Sequence, residues 1–127
     1  MKILGVMGAV ALSCLLLGQA LSAPSDQRVV RIAQLEIVPS QLEAYHAAVK
    51  EEMAESVRVE PGVIAIYAVA EKDYPNRLHF FEIYASDAAY KSHIASSHFQ
   101  KYFSTTQSMI ISKRLIEADP VQLSVQP

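Results

Sequence analysis

Apolar residues in this chain recur with two different periods, and the switches between them mark out its elements. Ile3 to Leu17 is apolar almost without a break. Val29 to Val38 is rich in β-branched residues and predicts a strand. Pro39-Ser40 ends it, and Ser40-Gln41-Leu42-Glu43 has the form of a capping box. In that motif the Ser40 hydroxyl accepts from the Glu43 amide and the Glu43 carboxylate reaches back. Leu42, Tyr45, Val49, Met53 and Val57 then follow at three- and four-residue intervals, which predicts one buried stripe of an amphipathic helix. Lys50, Glu51, Glu52, Glu55 and Arg58 fall mostly on its wet side, and Pro61-Gly62 stops it.

The second half repeats the theme. Val63 to Ala70 predicts a second strand, Asp73-Tyr74-Pro75-Asn76 supplies turn chemistry, and Arg77 to Tyr84 predicts a third strand that closes a hairpin with the second. Ser86-Asp87 can cap a short helix running through His93. Another short helix begins near Ser96 or Ser97 and carries Phe99, Tyr102 and Phe103. Met109 to Glu117 predicts a fourth strand, which Asp119-Pro120 breaks, and Val121, Leu123 and Val125 alternate with polar residues as a final extended segment. The order β-α-β-β-α-β, with its second helical region divided, is the ferredoxin-like split βαβ pattern. The expected class is therefore α+β, an antiparallel sheet with helices on one face. All four strands are apolar on both parities, so both faces of the sheet call for burial. A second copy covering the free face makes a homodimer of the dimeric α/β-barrel type the simplest solution. The segment 119–127 could pair with an edge of that partner.

Composition changes the picture at the N-terminus. Met1-Lys2, the apolar run and the small residues from Gly18 to Ala23 have the three-part layout of a secretory signal. The run is shorter than the roughly 20 apolar residues that span a bilayer. The expected organisation is a signal over 1–22, one domain over 28–118 and an extension over 119–127, with the mature protein periplasmic or secreted and not membrane-bound. Cys14 is the chain's one cysteine and lies within the signal. Ala11 ahead of it, and apolar residues beyond it, fit a lipid-anchor site poorly. The mature domain is thus left without thiol chemistry or disulfides. The net charge of −2 and the lack of a basic stripe argue against a nucleic-acid partner. Four glycines are scattered with no phosphate-binding loop among them, and no serine or cysteine nucleophile motif occurs.

Candidate chemistry concentrates between Glu82 and Phe99. Strand alternation places Phe80, Glu82 and Tyr84 on one side and His79, Phe81 and Ile83 on the other. A carboxylate between two aromatics on a buried face is either held by a partner, as architecture, or left with a raised pKa and able to act as an acid. Tyr90 and His93 are three residues apart and share a helix face. His93 can take and return a proton near neutral pH, or can simply bond a carbonyl at a helix end. His98 lies past the break, off that face, where it serves as a cap, a surface residue or a ligand-contacting residue. His93 and His98 lack the i, i+4 spacing of a helical zinc pair, and with no other ligand cluster in the sequence no metal is expected.

These residues also carry a resemblance. Glu60-Pro61-Gly62, then Glu82-x-Tyr84, then His93-x-x-Ser96-x-His98-Phe99 with Tyr102 following, resembles the antibiotic biosynthesis monooxygenase domain, over about Val29 to Glu117. The branch it looks most like holds the quinol monooxygenases and the autoinducer-2-processing isomerases. The resemblance implies a dimeric ferredoxin-like fold and, for the oxygenases, catalysis without metal or flavin, in which the substrate itself supplies electrons to molecular oxygen. It implies a pocket with Glu82, Tyr84, Tyr90 and His93 as catalytic groups. Within it, His98, Phe80, Phe99 and Tyr102 would contact a small quinol-like or polyphenolic substrate. An isomerase-type proton shuttle on a small hydroxyketone, or plain binding of an aromatic ligand, would use the same pocket. Many members of the family have tryptophan where Tyr84 stands, and this chain has no tryptophan. The Asn-Trp-His set of the haem-degrading branch has no match in it.

Overall fold

A computed structural model describes residues 26–127. The predicted signal, 1–22, lies outside the described residues. The elements run β1 (Val29–Ile37), α1 (Leu42–Val59), β2 (Val63–Ala70), β3 (Arg77–Tyr84), α2 (Asp87–Ala95), α3 (Ser97–Thr106) and β4 (Ile110–Ala118), with single 3-10 turns at Pro39–Gln41 and Gln107–Met109. The four strands form one sheet in the order β2-β3-β1-β4, and every pairing is antiparallel. This is the expected α+β, ferredoxin-like arrangement.

Register decides what each face carries. On the helix-covered face, Ala68, Phe80, Ala33 and Leu115 lie in one row across the four strands, and Ala70, Leu78, Leu35 and Lys113 in the next. Leu35, Ile37, Leu78 and Phe80 from this face meet Tyr45 and Val49 of α1 to form the core. Each such side chain contributes about 1.5–3 kcal/mol by leaving water. A third row holds Ile66, Glu82, Arg31 and Glu117, so this face turns polar at one end. On the opposite face the row is Tyr67, Phe81, Ile32 and Ile116, and Tyr67 is 57% exposed.

Two local expectations are corrected. The capping box does not form, because Pro39–Gln41 coils into a 3-10 turn and α1 starts at Leu42 behind Gln41, with no side-chain cap. The buried stripe of α1 is Tyr45, Val49, Glu52 and Ser56, and Val57 faces solvent at 54% exposure. The helix is rotated so that two polar residues point inward and an apolar one points out. Glu52 is therefore not on the wet side.

The division of the second helical region falls as expected, and one serine makes it. Ser86 caps α2 by accepting from the Ala89 amide at 3.1 Å. Ser96 ends α2 by donating to the His93 carbonyl at 2.6 Å, and starts α3 by accepting from the Phe99 amide at 3.2 Å. The tail beyond Ala118 makes no strand pairing among the described residues, and Val121 and Val125 are exposed.

The turn after α1 is fixed by a close approach. The Ala85 amide donates to the Gly62 carbonyl at 2.9 Å, and a Cβ on Gly62 would stand 2.6 Å from the Ala89 Cβ. Only a residue without a side chain lets this turn lie against α2. Gly62→Ala should lower stability by roughly 1–3 kcal/mol through overpacking. Urea unfolding of Gly62→Ala and of the Gly62→Ala/Ala89→Gly pair tests this. The double variant is expected to lose less than the two single effects added together.

Candidate active site

That close approach brings Glu60, the residue ending α1, under the start of the two short helices. The Glu60 amide closes the last turn of α1 on the Ser56 carbonyl at 3.0 Å, and its side chain points inward. One oxygen, Oε2, receives His93 Nδ1 at 2.9 Å and His98 Nε2 at 2.7 Å. An ionised carboxylate only accepts, so both of these ring nitrogens carry hydrogen. Burial works to raise the Glu60 pKa, but the hydrogen bonds from His93 and His98, with their charges, outweigh it and hold the carboxyl below its usual value. The break at Ser96 turns α3 so that His98 reaches the same oxygen as His93 although the two are not on one helix face.

With Nδ1 engaged by Glu60, the other nitrogen of His93 faces Glu52. Nε2 lies 3.4 Å from Glu52 Oε1, and the Ser56 hydroxyl donates to that same oxygen at 2.6 Å. His93 and Glu52 are almost fully buried, at 2% and 6% exposure. Both nonetheless line a cavity of about 360 Å³ between the sheet, α2 and α3. The cavity is walled mostly by apolar side chains, among them Phe80, Phe99, Ile66 and Leu115, with Arg31, Glu82, Tyr90 and Tyr102 as further polar groups. A volume near the low end for ligand sites suits a compound of one or two rings.

The sequence candidates divide by position. His93, Glu82, Tyr90, Phe80, Phe99 and Tyr102 all line the cavity. Tyr84 does not: it is fully buried, donates its hydroxyl to Glu82 Oε2 at 2.6 Å, and packs its ring 5.2 Å from both Tyr90 and His93. Its pKa is pushed up, first by burial and then by the Glu82 charge, so it stays a hydroxyl. His98 stands behind Glu60 and borders an outer groove with Glu55, Arg58 and Lys101 instead. The Glu82 pKa is raised, chiefly by burial, against the lowering effect of the Tyr84 bond. Glu82 thus has both a holding partner and a pKa shifted upward, a feature of each of the two readings that were open. Tyr102 shares a 2.5 Å hydrogen bond with the Tyr45 hydroxyl, which pins the cavity wall to α1.

The residues missed by sequence reasoning are Glu52, Ser56, Arg31 and the anchoring role of Glu60. Glu52 and Ser56 were detectable in principle, since Tyr45, Val49, Glu52 and Ser56 follow helical spacing as well as the chosen stripe does. Nothing local marked Arg31. Glu52, His93 and His98 also bring potential metal-ligand atoms within 4.8 Å of one another. Glu60 bonds one nitrogen of each histidine and Ser56 bonds the Glu52 oxygen, so all three side chains are held in fixed orientations toward one another.

Comparison with known proteins agrees with this geometry. The sequence profile of the antibiotic biosynthesis monooxygenase family matches residues 28–105, and the chain belongs to that family. A Bacteroides thetaiotaomicron crystal structure named "putative antibiotic biosynthesis monooxygenase" is 46% identical. That match covers 80% of this chain and 96% of the other, with a TM-score of 0.76. A Lactobacillus acidophilus "putative monooxygenase" is 33% identical over 72% of this chain, with a TM-score of 0.71, and this chain spans 44% of its length. A Nitrosomonas europaea structure at 18% identity, covering 76% of this chain and 92% of its own with a TM-score of 0.71, shares the fold. No curated protein matches the chain.

The charge on Glu60 has a consequence for stability. Its folded pKa lies below the ordinary 4.5, so its contribution is complete above that value and is lost as pH falls through the folded one. Glu82 has the opposite sign: its raised pKa favours the fold below 4.5 and withdraws that support as pH climbs through the folded value. Glu60→Gln should cost about 1–3 kcal/mol near neutrality, by leaving a buried and a half-buried imidazole with a weaker acceptor. It should also flatten the acid side of the stability profile. Urea melts from neutrality to below pH 4.5, the ordinary value for Glu60, check both.

Proposed function

We propose that the protein is a secreted, cofactor-independent monooxygenase of the quinol-oxidising branch, acting with molecular oxygen on a small quinol-like or polyphenolic compound. The observation that carries this reading is the presentation of His93. Its Nδ1 is tethered to Glu60 at 2.9 Å, while the residue lines an apolar cavity of about 360 Å³. A base so tethered keeps its free nitrogen in one orientation, and the adjacent carboxylate stabilises the imidazolium that forms on proton uptake.

In this reading His93 Nε2 removes a phenolic proton and the phenolate passes electrons to oxygen. The quinol supplies all the electrons. One oxygen atom bonds to a ring carbon and the other leaves as water, so quinol and oxygen become hydroxylated quinone and water. Tyr90 orients the oxygen species from the cavity wall. Glu82, held by Tyr84 and with its pKa raised by burial, is the carboxyl placed to give up a proton in an apolar setting. Phe80, Phe99 and Tyr102 sandwich the ring, and His98 steadies Glu60 from behind. His93→Ala should lower turnover by roughly 10²-fold or more with the fold intact. Oxygen uptake over a hydroquinone panel measures this, and an unchanged rate and pH profile would remove His93 from the mechanism.

One observation favours a second reading. Glu52 Oε1, 3.4 Å from His93 Nε2, puts a second proton carrier on the same side of the cavity. A carboxyl–imidazole pair can take a proton from one carbon and return it to the next, as an isomerase acting on a hydroxyketone requires. Deuterium incorporation from solvent without oxygen uptake would favour it. Tight binding of aromatic ligands with neither reaction would make the cavity a binding site alone.

The same reading includes a homodimer. Support comes from the row Tyr67, Phe81, Ile32 and Ile116 on the face away from the helices, flanked by Val69 at 61% exposure. A second copy there would bury on the order of 2,000 Å² or more in total. The 119–127 tail would pair with the partner's sheet edge. Light scattering of the mature protein at low micromolar concentration is expected to give twice the chain mass, and a stable monomer would sink the dimer.

A further inference from the structure

Arg31 is the cavity residue whose surroundings the network above leaves unexplained. It stands on β1 directly between Glu82 of β3 and Glu117 of β4. Two carboxylates flank it in register, yet neither makes a close pair with it. Glu82 Oε2 is occupied by the Tyr84 hydroxyl at 2.6 Å. The nearest carboxylate oxygens in ion-pair range, on Asp87 and Glu117, are each 4.0 Å from the guanidinium, and both side chains are largely exposed. One N–H reaches the Val30 carbonyl at 3.0 Å. The Nε is shut off from solvent and has no hydrogen-bond partner among the described residues. The group lies over the Tyr90 ring, 4.6 Å from its centre.

An arginine carries five donors in a planar fork, and a secluded guanidinium whose carboxylates in ion-pair range are exposed and 4.0 Å away is poorly compensated. A single backbone carbonyl and an aromatic face do not offset that, but an incoming anionic oxygen would. Lys113, the other cation of the lining, is four residues further along the strand register, or about 13 Å away. A one-ring ligand cannot use both, and only Arg31 sits in the row with Glu82. Burial that favours the neutral form of Glu82 leaves the guanidinium charge less compensated still.

We propose that Arg31 is the specificity determinant of this cavity, receiving an anionic oxygen on a planar aromatic substrate. The substrate class is thereby narrowed to ring acids or ready phenolates. This rests on the reading of the cavity as a substrate site but not on the oxygenase reaction. Calorimetric titration of the mature protein near neutral pH with two matched pairs tests it. A dihydroxybenzoate against its methyl ester reads a carboxylate, and nitrocatechol, largely ionised at that pH, against catechol reads a phenolate.

Wild type should prefer the anion of at least one pair by roughly tenfold or more, as expected for a charge-assisted bond. Arg31→Gln should bring the members of that pair within about twofold, and Arg31→Lys should restore part of the preference. Circular dichroism confirms that the variants are folded, and the lysine variant carries the test if the glutamine variant is not. Equal binding of anion and neutral partner in both pairs, binding of neither pair by wild type, or an unchanged preference in Arg31→Gln and Arg31→Lys would overturn the assignment. Oxygen uptake on the same compounds separates the two readings. Charge preference without uptake keeps Arg31 and removes the oxygenase, while uptake without preference does the reverse.

Discussion

The site depends on one carboxylate oxygen. Glu60 Oε2 holds His93 from α2 and His98 from α3, and the carboxylate itself hangs from the end of α1. Three helices are thus tied at a point with little exposure to water, where charge-assisted bonds are stronger than on a surface. Two features far apart in sequence make this possible. Gly62 lets the turn after α1 press against Ala89, and Ser96 both ends α2 and begins α3. Loss of either would leave Glu60 with its acceptor capacity unfilled or out of reach.

The sheet divides its labour by row more than by face. Toward one end its helix-covered face is plain core, where Leu35, Leu78 and Phe80 meet Tyr45 and Val49. Toward the other end the same face carries Glu82 and Arg31 side by side, and the cavity extends over both ends. The apolar end supplies stability, which allows the polar end to carry ionisable groups that contribute little to it. The outer face repeats the division, with an apolar row at Phe81 and a His79–Glu71 pair at 2.9 Å further along.

Tyrosines do structural duty in and behind the cavity wall. Tyr84 fixes Glu82, Tyr45 fixes Tyr102, and the Tyr90 ring lies under the Arg31 guanidinium. In each case a ring buries apolar area while one polar feature, a hydroxyl or a π-face, meets a neighbour that lines the cavity.

The elements were legible in the sequence because period, turn chemistry and capping serines are local. Strand boundaries from Val29 to Ala118, the hairpin at Asp73-Tyr74-Pro75-Asn76 and the division at Ser96 follow from them, and together they fix the topology. The presence of His93, Tyr90 and Glu82 in one cavity was legible too, since strand parity and a three-residue helical spacing place them. The rotation of α1 was not. Leu42, Val57 and Met53 make one plausible stripe and Glu52 and Ser56 another, and the choice between them depends on partners from α2 that only the assembled fold brings near. The convergence of Glu60 with two histidines more than thirty residues away, and the lack of a close carboxylate beside Arg31, are likewise tertiary facts. Local sequence sets which way a side chain leaves its own element. What it meets is set by how the elements stack, and hydrogen bonds and charge pairs are decided over the last few ångströms of that stacking.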